Sequence, residues 1–157
     1  MNKNLILQKA FDLIVSFENF KEFAYKDVAG VWTYGIGFTK TPSGKKVVST
    51  DIISRKDADA FLMEIIKKDF TILQNIIHVS LSENKWIALI SLVYNIGITR
   101  FRRSTLLSYI NKNKIDNLIK DEFMRWVYSG GNVVRGLVNR RRKETSIYFM
   151  KENGNLF

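Results

Sequence analysis

The sequence predicts an α+β fold with a small N-terminal lobe that contains a three-stranded antiparallel sheet, a long connecting helix, and a larger all-helical C-terminal lobe. Three observations predict it. Apolar residues recur with a helical period over 3–19 and then alternate, as in a strand, over 31–38. A second helical pattern runs unbroken over 54–77, and only helical patterns follow it. We expect the 157 residues to form one domain with lobes at about 12–65 and 66–157, the N-terminal helix joining the second.

The first predicted helix has one acidic residue in an apolar sector. Its apolar face consists of Leu7, Ala10, Leu13, Ile14 and Phe17. Glu18 falls beside this face. A carboxyl group that loses hydration there favours its protonated form and could donate a proton near neutral pH. The alternative is that Glu18 ends the helix at the rim and forms an ordinary ion pair.

The alternating segment "VWTYGIGFT" predicts one packed and one nearly bare strand face. The packed face carries Trp32, Tyr34, Ile36 and Phe38. Thr33 stands on the other face beside Gly35 and Gly37, and glycines within a strand often mark close approach by a ligand. The turn-rich stretches "DVAG" and "TPSG" border this segment and complete a predicted sheet of about three strands.

The remaining patterns predict helices. Ser54 with Asp57 resembles a capping box, and the helix that it opens has about 24 residues and a length of roughly 36 Å. "SENKWIALISLVYNIG" predicts an amphipathic helix that ends at Gly97, and Ser104 opens a short one. The stretches "IDNLIKDEFMRWV" and "LVNRRRKETSIYFMKE" predict the last two helices, with "SGGNVVRG" as a loop between them.

Composition excludes several kinds of chemistry. The chain has no cysteine, which excludes a disulfide, thiolate chemistry and a metal site built on sulfur, and its single histidine, His78, argues against a His-rich metal site and a Ser/His triad. The net charge of +10 is concentrated in residues 81–157, where 14 Lys and Arg face 6 Asp and Glu, against 11 and 9 in residues 1–80. This asymmetry indicates a polyanionic partner: nucleic acid, an anionic membrane or an anionic wall polymer.

The N-terminal segment carries no evident targeting signal. Gln8, Lys9 and Asp12 interrupt its apolar run, whereas a secretory core needs about 7–15 apolar residues and a membrane span about 20. We therefore expect the protein to accumulate in the cytoplasm and to need another factor if it acts elsewhere.

Three polar residues form a candidate catalytic set. Glu18 is followed by Asp27 in a turn and by Thr33 in the strand. Each has an ordinary structural explanation, because Asp is a common backbone acceptor in turns and Thr is common in strands. Together they place an acid, a base and a hydroxyl beside the predicted bare face. Glycoside hydrolysis uses two carboxyl groups of this kind, one protonated and one ionised.

These residues lie in motifs that resemble the bacteriophage-type lysozymes, or endolysins, of glycoside hydrolase family 24. In that family a Glu is followed after eight residues by an Asp and after five more by a Thr, and Glu18, Asp27 and Thr33 reproduce this spacing. Asp27 and Thr33 lie within the stretch "AYKDVAGVWTYGIG", which is similar to the family's motif. "VYNIGITRFRRSTLLSYIN" and "RWVYSGGNVVRGLVNRRRKE" are similar to two later family segments. The resemblance covers roughly residues 11 to 150. Phe38 precedes Thr39 where many members have His-Thr, and Asn19 replaces the glycine that usually follows the acid; neither change removes a catalytic group.

The resemblance implies a lysozyme-like fold and a specific reaction. Glu18 would act as the general acid, while Asp27 would act from the other side of the sugar with Thr33 helping to hold the attacking water, so that the anomeric configuration inverts. The bond implied is the β-1,4 link between N-acetylmuramic acid and N-acetylglucosamine in peptidoglycan. No metal or cofactor is implied.

The resemblance also implies supporting residues and partners. Arg140 and Arg141 match the family's paired arginines, one of which is expected to reach Glu18, and we favour Arg140. By the same resemblance Tyr94, Asn95, Ser104 and Thr105 would face the substrate, although Tyr94 could instead be a core residue, Asn95 a helix-end residue and Ser104 or Thr105 helix caps. Gly35 and Gly37 are expected to face it because they belong to the predicted bare strand face. We expect a monomer that acts on the cell wall after holin-dependent release from the host cytoplasm, without a specific nucleic-acid partner. The rival hypotheses are a basic protein that binds nucleic acid or an anionic surface without catalysis, and a homologue that has lost hydrolysis.

Overall fold

The computed structural model describes residues 1–151, within which the chain forms seven helices and two small antiparallel sheets. The elements in chain order are α1 (Lys3–Phe17), β1 (Lys21–Lys26), β2 (Trp32–Gly35), α2 (Arg55–Ile76), α3 (Glu83–Ile96), α4 (Ile98–Arg102), α5 (Thr105–Asn111), α6 (Asp116–Phe123), β3 (Tyr128–Ser129), β4 (Asn132–Val133) and α7 (Arg135–Tyr148). The described helices include no candidate for a membrane span.

Polar residues flank helix α1 at both ends, Asn2 before it and Glu18 after it. The Asn2 side chain accepts a hydrogen bond from the Leu5 backbone N–H at 3.1 Å, which satisfies one free donor of the first turn. The predicted end at residue 19 is two residues too late, because Glu18 has extended backbone angles (φ −105°, ψ 127°). The predicted apolar face is buried apart from half-buried Phe17. This ending places Glu18 beyond the last turn, where its side chain is free to leave the helix.

The predicted third strand is absent from the N-terminal sheet, which consists of β1 and β2 alone. Gly35 (φ 61°) and Gly37 (φ 76°) adopt left-handed angles, so the chain turns back at once and Tyr34 pairs with Phe38. Residues 38–53 pair with the sheet through two isolated bridges, Phe23 with Ile52 and Tyr34 with Phe38. Phe38 nevertheless packs as expected, with its ring edge-on to Phe61 at 4.7 Å between centroids. The bare strand face predicted around Thr33 is therefore a tight glycine turn.

The connecting helix has the predicted start and nearly the predicted length. The Ser54 side chain accepts a hydrogen bond from the Asp57 N–H at 3.1 Å. Helix α2 has 22 residues, about 33 Å at 1.5 Å per residue. It packs on α3, in which residues 86–93 are all buried. A helix that is buried on every side over this stretch lies at the centre of a lobe, and α3 also contacts α1 and α7.

The C-terminal lobe is not all-helical, because β3 and β4 form a hairpin within the segment predicted as a loop. Gly130 (φ 56°) and Gly131 (φ 80°) connect the strands, and a two-residue turn with positive φ at both positions suits the twist of a hairpin. The hairpin leads directly into α7. It therefore positions the helix that carries the predicted arginine partner of Glu18.

Candidate active site

Glu18 meets a buried arginine as it leaves α1. Its carboxylate Oε1 lies 3.0 Å from Nη1 of Arg140, and the two side chains are 27% and 5% exposed, respectively. The Arg140 guanidinium also stacks over the Phe17 ring, 4.7 Å from its centroid. The ion-pair alternative raised for Glu18 is thus part of the structure. It holds the carboxylate in a fixed orientation instead of leaving it at an open helix end.

Arg140 is itself held by α3 and by its own helix. Its Nε donates to Glu144 Oε1 at 3.2 Å, and its Nη2 donates to the Ser91 backbone carbonyl at 3.0 Å. Each side of the guanidinium therefore has a partner, so the nitrogen that faces Glu18 cannot swing away without breaking two other bonds. The first helix, the third and the last converge on this one cation.

The second oxygen of Glu18 lies against Gly37. A Cβ built on Gly37 would stand 2.9 Å from Glu18 Oε2, closer than real contacts allow. The missing side chain at Gly37 therefore makes room for the carboxylate, while the predicted contact of Gly37 with substrate stays a prediction. Gly35 differs, since a Cβ there would meet the Phe38 ring at 2.5 Å.

If Glu18 is the proton donor expected from the sequence, Gly37→Ala should lower turnover more than it lowers stability. At φ 76° the new methyl costs about 1 kcal/mol of backbone strain, and it also displaces the Glu18 carboxylate. Displacement of a catalytic group by about 1 Å can cost roughly 100-fold in rate. Thermal unfolding and turnover on purified cell walls measure the two effects.

Gly44→Ala is the matched control for Gly37→Ala. Gly44 also has positive φ (85°), but a Cβ there meets nothing within 4 Å. Both variants should lose similar stability, and only Gly37→Ala should lose activity. Equal turnover in the two would show that Gly37 does not constrain the acid.

Asp27 occupies the turn between β1 and β2. Its Oδ1 accepts hydrogen bonds from the backbone N–H groups of Ala29 and Val31, each at 2.9 Å. Neither bond uses Oδ2. Asp27 therefore combines the ordinary turn role with a second carboxylate oxygen that these two bonds leave free for other chemistry.

Thr33 is buried on β2, close to the Asp27 turn. Its hydroxyl donates to the Val31 carbonyl at 3.0 Å, and the Asp27 N–H donates to the same carbonyl at 3.0 Å. Because the hydroxyl proton is used, the Thr33 oxygen can only accept further hydrogen bonds. A water held by Thr33 would therefore have to donate to it.

Tyr25 links the two carboxylates electrostatically, and the sequence interpretation did not single it out. It pairs with Thr33 across the sheet. Partial burial raises the pKa of the Tyr25 phenol, and the negative charges of Glu18 and Asp27 add to the rise. Its position two residues before Asp27, on the strand opposite Thr33, is the sequence signal that could have identified it.

Two grooves run past this site. The Asp27 groove has a volume of about 740 Å³ and is lined by Asp27, Asn95 and Trp126 among others. The smaller Gly37 groove, of about 270 Å³, is lined by Gly37, Asp69 and Tyr94 among others. Tyr94 thus lines the Gly37 groove and the next residue, Asn95, lines the Asp27 groove, so the end of α3 forms part of the wall of both grooves.

The substrate-facing residues predicted from the C-terminal lobe have structural partners. The Tyr94 hydroxyl donates to the Ile36 carbonyl, and burial raises the Tyr94 pKa, an effect that the charge of Glu18 increases. Asn95 accepts from Arg141 Nη2 at 2.5 Å. Ser104 caps α5 by accepting from the Leu107 N–H at 3.1 Å, and Thr105 is exposed in the first turn. Contact of these residues with substrate stays a prediction.

Asp69 is a half-buried acid in the Gly37 groove. Burial raises its pKa from 3.8 to about 6, and the neighbouring Lys68 ammonium opposes the rise. Below about pH 4 the carboxyl is protonated in both the folded and unfolded chain. As the pH rises towards 6 the unfolded chain ionises first, so this group lowers stability progressively and by up to about 3 kcal/mol at higher pH.

Asp69→Asn should therefore stabilise the protein in a pH-dependent way. The variant should unfold at a higher temperature than the wild type at about pH 8, and the difference should vanish near pH 4. Thermal unfolding across this range measures the effect. A difference that stays constant with pH would show that the carboxyl titrates normally.

Among residues 1–151, no cluster of three or more acidic or histidine side chains could hold a metal ion. The described site consists of two carboxylates, a buried arginine, a phenol and a hydroxyl.

Comparisons with known proteins identify the family to which the chain belongs. The phage lysozyme family model matches residues 15–144. The endolysin of Bacillus phage PZA is 36% identical over 143 residues, which make up 91% of this chain and 54% of that protein. The chain thus spans just over half the length of that relative. The endolysin of Acyrthosiphon pisum secondary endosymbiont phage 1 is 35% identical over 147 residues, covering 91% of this chain and 97% of that protein.

A solved structure shares the fold. The endolysin from Escherichia coli O157:H7 phage FAHEc1 superimposes with a TM-score of 0.79 at 32% sequence identity, covering 90% of this chain and 91% of that one. The lysozyme-like fold predicted from the sequence is confirmed. With the family model spanning most of the sequence, this chain belongs to the phage lysozyme family.

Proposed function

We propose that this protein hydrolyses the β-1,4 bond between N-acetylmuramic acid and N-acetylglucosamine in bacterial peptidoglycan, and so acts as an endolysin. The observation that carries the proposal is a carboxylate, Glu18, held 3.0 Å from the buried Arg140, together with a second carboxylate, Asp27, that lines the neighbouring groove. Glycoside hydrolysis needs two such groups. Membership of the phage lysozyme family supports the same substrate class.

In the proposed reaction Glu18 is the general acid. It gives its proton to the glycosidic oxygen as the bond to the anomeric carbon breaks. Glu18 is then a carboxylate 3.0 Å from the Arg140 guanidinium, which stabilises the charge that it gains. Asp27 takes a proton from a water that attacks the anomeric carbon from the opposite face, so the product has inverted configuration.

Thr33→Val tests the water-holding role of the hydroxyl. The substitution keeps the branched shape and removes the oxygen. Val31 O keeps its bond from the Asp27 N–H, so little stability should be lost. We expect turnover to fall about 100-fold, the lower end of the 10²- to 10⁴-fold range for a lost acid–base contact. Steady-state assays on cell walls measure it.

Thr33→Ser is the control, because it restores the hydroxyl and should restore most of the activity. If Thr33→Val turns over at the wild-type rate, Asp27 activates the water without help from this residue.

A peptidoglycan zymogram tests the proposed function directly. A clear zone at the position of the intact protein is the expected result. An uncleared zymogram together with a shifted nucleic-acid band would instead favour the basic binding protein, and binding to walls without clearing would favour a homologue that has lost hydrolysis.

The proposed biological setting follows from this activity. Peptidoglycan is the partner, the protein is a monomer made in the host cytoplasm, and a holin provides the route to the wall. The substrate path runs through the Asp27 and Gly37 grooves, between a smaller lobe at about residues 12–65 and the helical lobe that includes α1.

A further inference from the structure

The charged cluster behind Glu18 extends further into the protein than the pair with Arg140. Glu144 on α7 is fully buried and lies between two arginines. Its Oε1 accepts from Arg140 Nε at 3.2 Å and from the Ser91 hydroxyl at 2.7 Å. Its Oε2 lies 3.0 Å from Arg141 Nε, close enough for an ion pair but without hydrogen-bond alignment.

This cluster connects the Asp27 groove with the proposed acid. Arg141 Nη2 donates to Asn95 Oδ1, and Asn95 lines the Asp27 groove. From there the contacts continue through Glu144 and Arg140 to Glu18. The path is made almost entirely of charged side chains removed from water, where charges interact most strongly.

The buried part of the cluster does not balance its own charge. Two guanidiniums face one carboxylate, which leaves one positive charge that Glu18 alone among the cluster's acids can neutralise. Burial lowers the pKa of Arg141 to about 10, so it remains a cation near neutral pH. Burial raises the pKa of Glu144, and the two guanidiniums oppose that rise.

We infer that Glu144 is a positioning residue that sets how much positive charge the proposed general acid Glu18 feels, and so the pH at which Glu18 gives up its proton. The inference rests on the proposed function of Glu18. Glu144 touches neither substrate nor reacting atoms. It acts by orienting Arg140 and by cancelling one of the two positive charges behind the acid.

Other charged and titratable groups face the same space. They are Tyr25 on β1, Asp27 in the turn between β1 and β2, and Tyr94 on α3. Asp69 on α2 joins them through its electrostatic interaction with Tyr94. None of these changes in the variants below, so differences among the variants report the cluster itself.

Two single variants should move the titration of Glu18 in opposite directions. Glu144→Gln removes a negative charge, so the acid should lose its proton at a lower pH; Arg141→Gln removes a positive charge, so it should keep the proton to a higher pH. Each shift should be about half a pH unit or more. The double variant restores the wild-type net charge, and its midpoint should return towards the wild-type value.

Ser91→Ala is the matched control. It removes one hydrogen bond from Glu144 Oε1 without changing the charge, and the Ser91 backbone carbonyl still accepts from Arg140. It should lower stability and leave the titration where it was. A purely structural role of Glu144 would lower stability in all variants and could not produce shifts of opposite sign.

The measurement is a carboxyl ¹³C NMR titration of Glu18 in the folded protein, assigned by the loss of its signal in Glu18→Gln, together with the alkaline limb of the pH–rate profile on cell walls. Opposite shifts in both readouts are expected. Shifts of the same sign, or none, would overturn the inference. If Glu144→Gln does not fold, Arg141→Gln is compared with Ser91→Ala: an unshifted Arg141→Gln shows that the charge of this cluster does not reach Glu18 and overturns the inference.

The two readouts separate this inference from the function on which it rests. Opposite NMR shifts in a protein without wall hydrolysis would refute the proposed function and leave the electrostatic role of Glu144 intact. Hydrolysis with a pH profile that no variant moves would refute the role of Glu144 and leave the function intact.

Discussion

Glu18→Gln is expected to reduce wall hydrolysis by about 1000-fold or more while the protein stays folded, since loss of a general acid typically costs 10²- to 10⁴-fold. Glutamine has nearly the same shape and can still contact Arg140, but it has no carboxylic proton to donate. The release of soluble fragments from purified cell walls measures the rate, and circular dichroism with thermal unfolding reports the fold.

Glu22→Gln provides the control for this variant. It makes the same chemical change at an exposed position on β1 and should leave the rate unchanged. If Glu18→Gln retained a tenth or more of the wild-type rate, Glu18 would not be the proton donor, and the pair with Arg140 would be only structural.

Asp27→Asn should produce the second-largest loss, of about 100- to 1000-fold, because it removes the base that accepts the proton of the attacking water. Asparagine keeps a side-chain oxygen at the Oδ1 position, so the bonds from the Ala29 and Val31 N–H groups can persist. The turn should therefore remain, with only the charge lost. Turnover and unfolding temperature are measured on the same preparation.

Asp51→Asn is matched to it in chemistry. Asp51 also accepts a backbone hydrogen bond in a turn, from the Val48 N–H at 2.8 Å, but nothing links it to Glu18. Both variants should lose similar, small amounts of stability, and only Asp27→Asn should lose turnover. Equal turnover in the two would assign Asp27 to the turn alone.

The helices were the most predictable part of the fold, because each apolar face and cap is a local signal. Ser54 and its capping partner define the start of α2, and the period beyond them gives its length to within two residues. The glycine turn was not predictable in the same way. Gly35 and Gly37 fit the alternating pattern of a strand, and because glycine adopts positive and negative φ about equally well, the sequence does not indicate which of the two it has here. The Gly130–Gly131 pair was a usable hairpin signal.

In the candidate site, too, the local features were predictable from the sequence and the long-range contacts were not. The spacing of Glu18, Asp27 and Thr33 is local enough to be recognised, and the expected contact of Arg140 with Glu18 is present at 3.0 Å. The role of Tyr94 in holding the Ile36 carbonyl joins residues 58 apart in the chain. Contacts of this kind depend on how α3 packs against the N-terminal turn, which no local pattern contains.

The most direct test of the account is the chemical identity of the first product released from purified peptidoglycan. Mass spectrometry of the fragments, with and without borohydride reduction, identifies the new end, and NMR early in the reaction gives its anomeric configuration. The account predicts a reducing N-acetylmuramic acid end that has gained one water, released with inverted configuration. A new end without added water, a reducing N-acetylglucosamine end, or a retained configuration would contradict it.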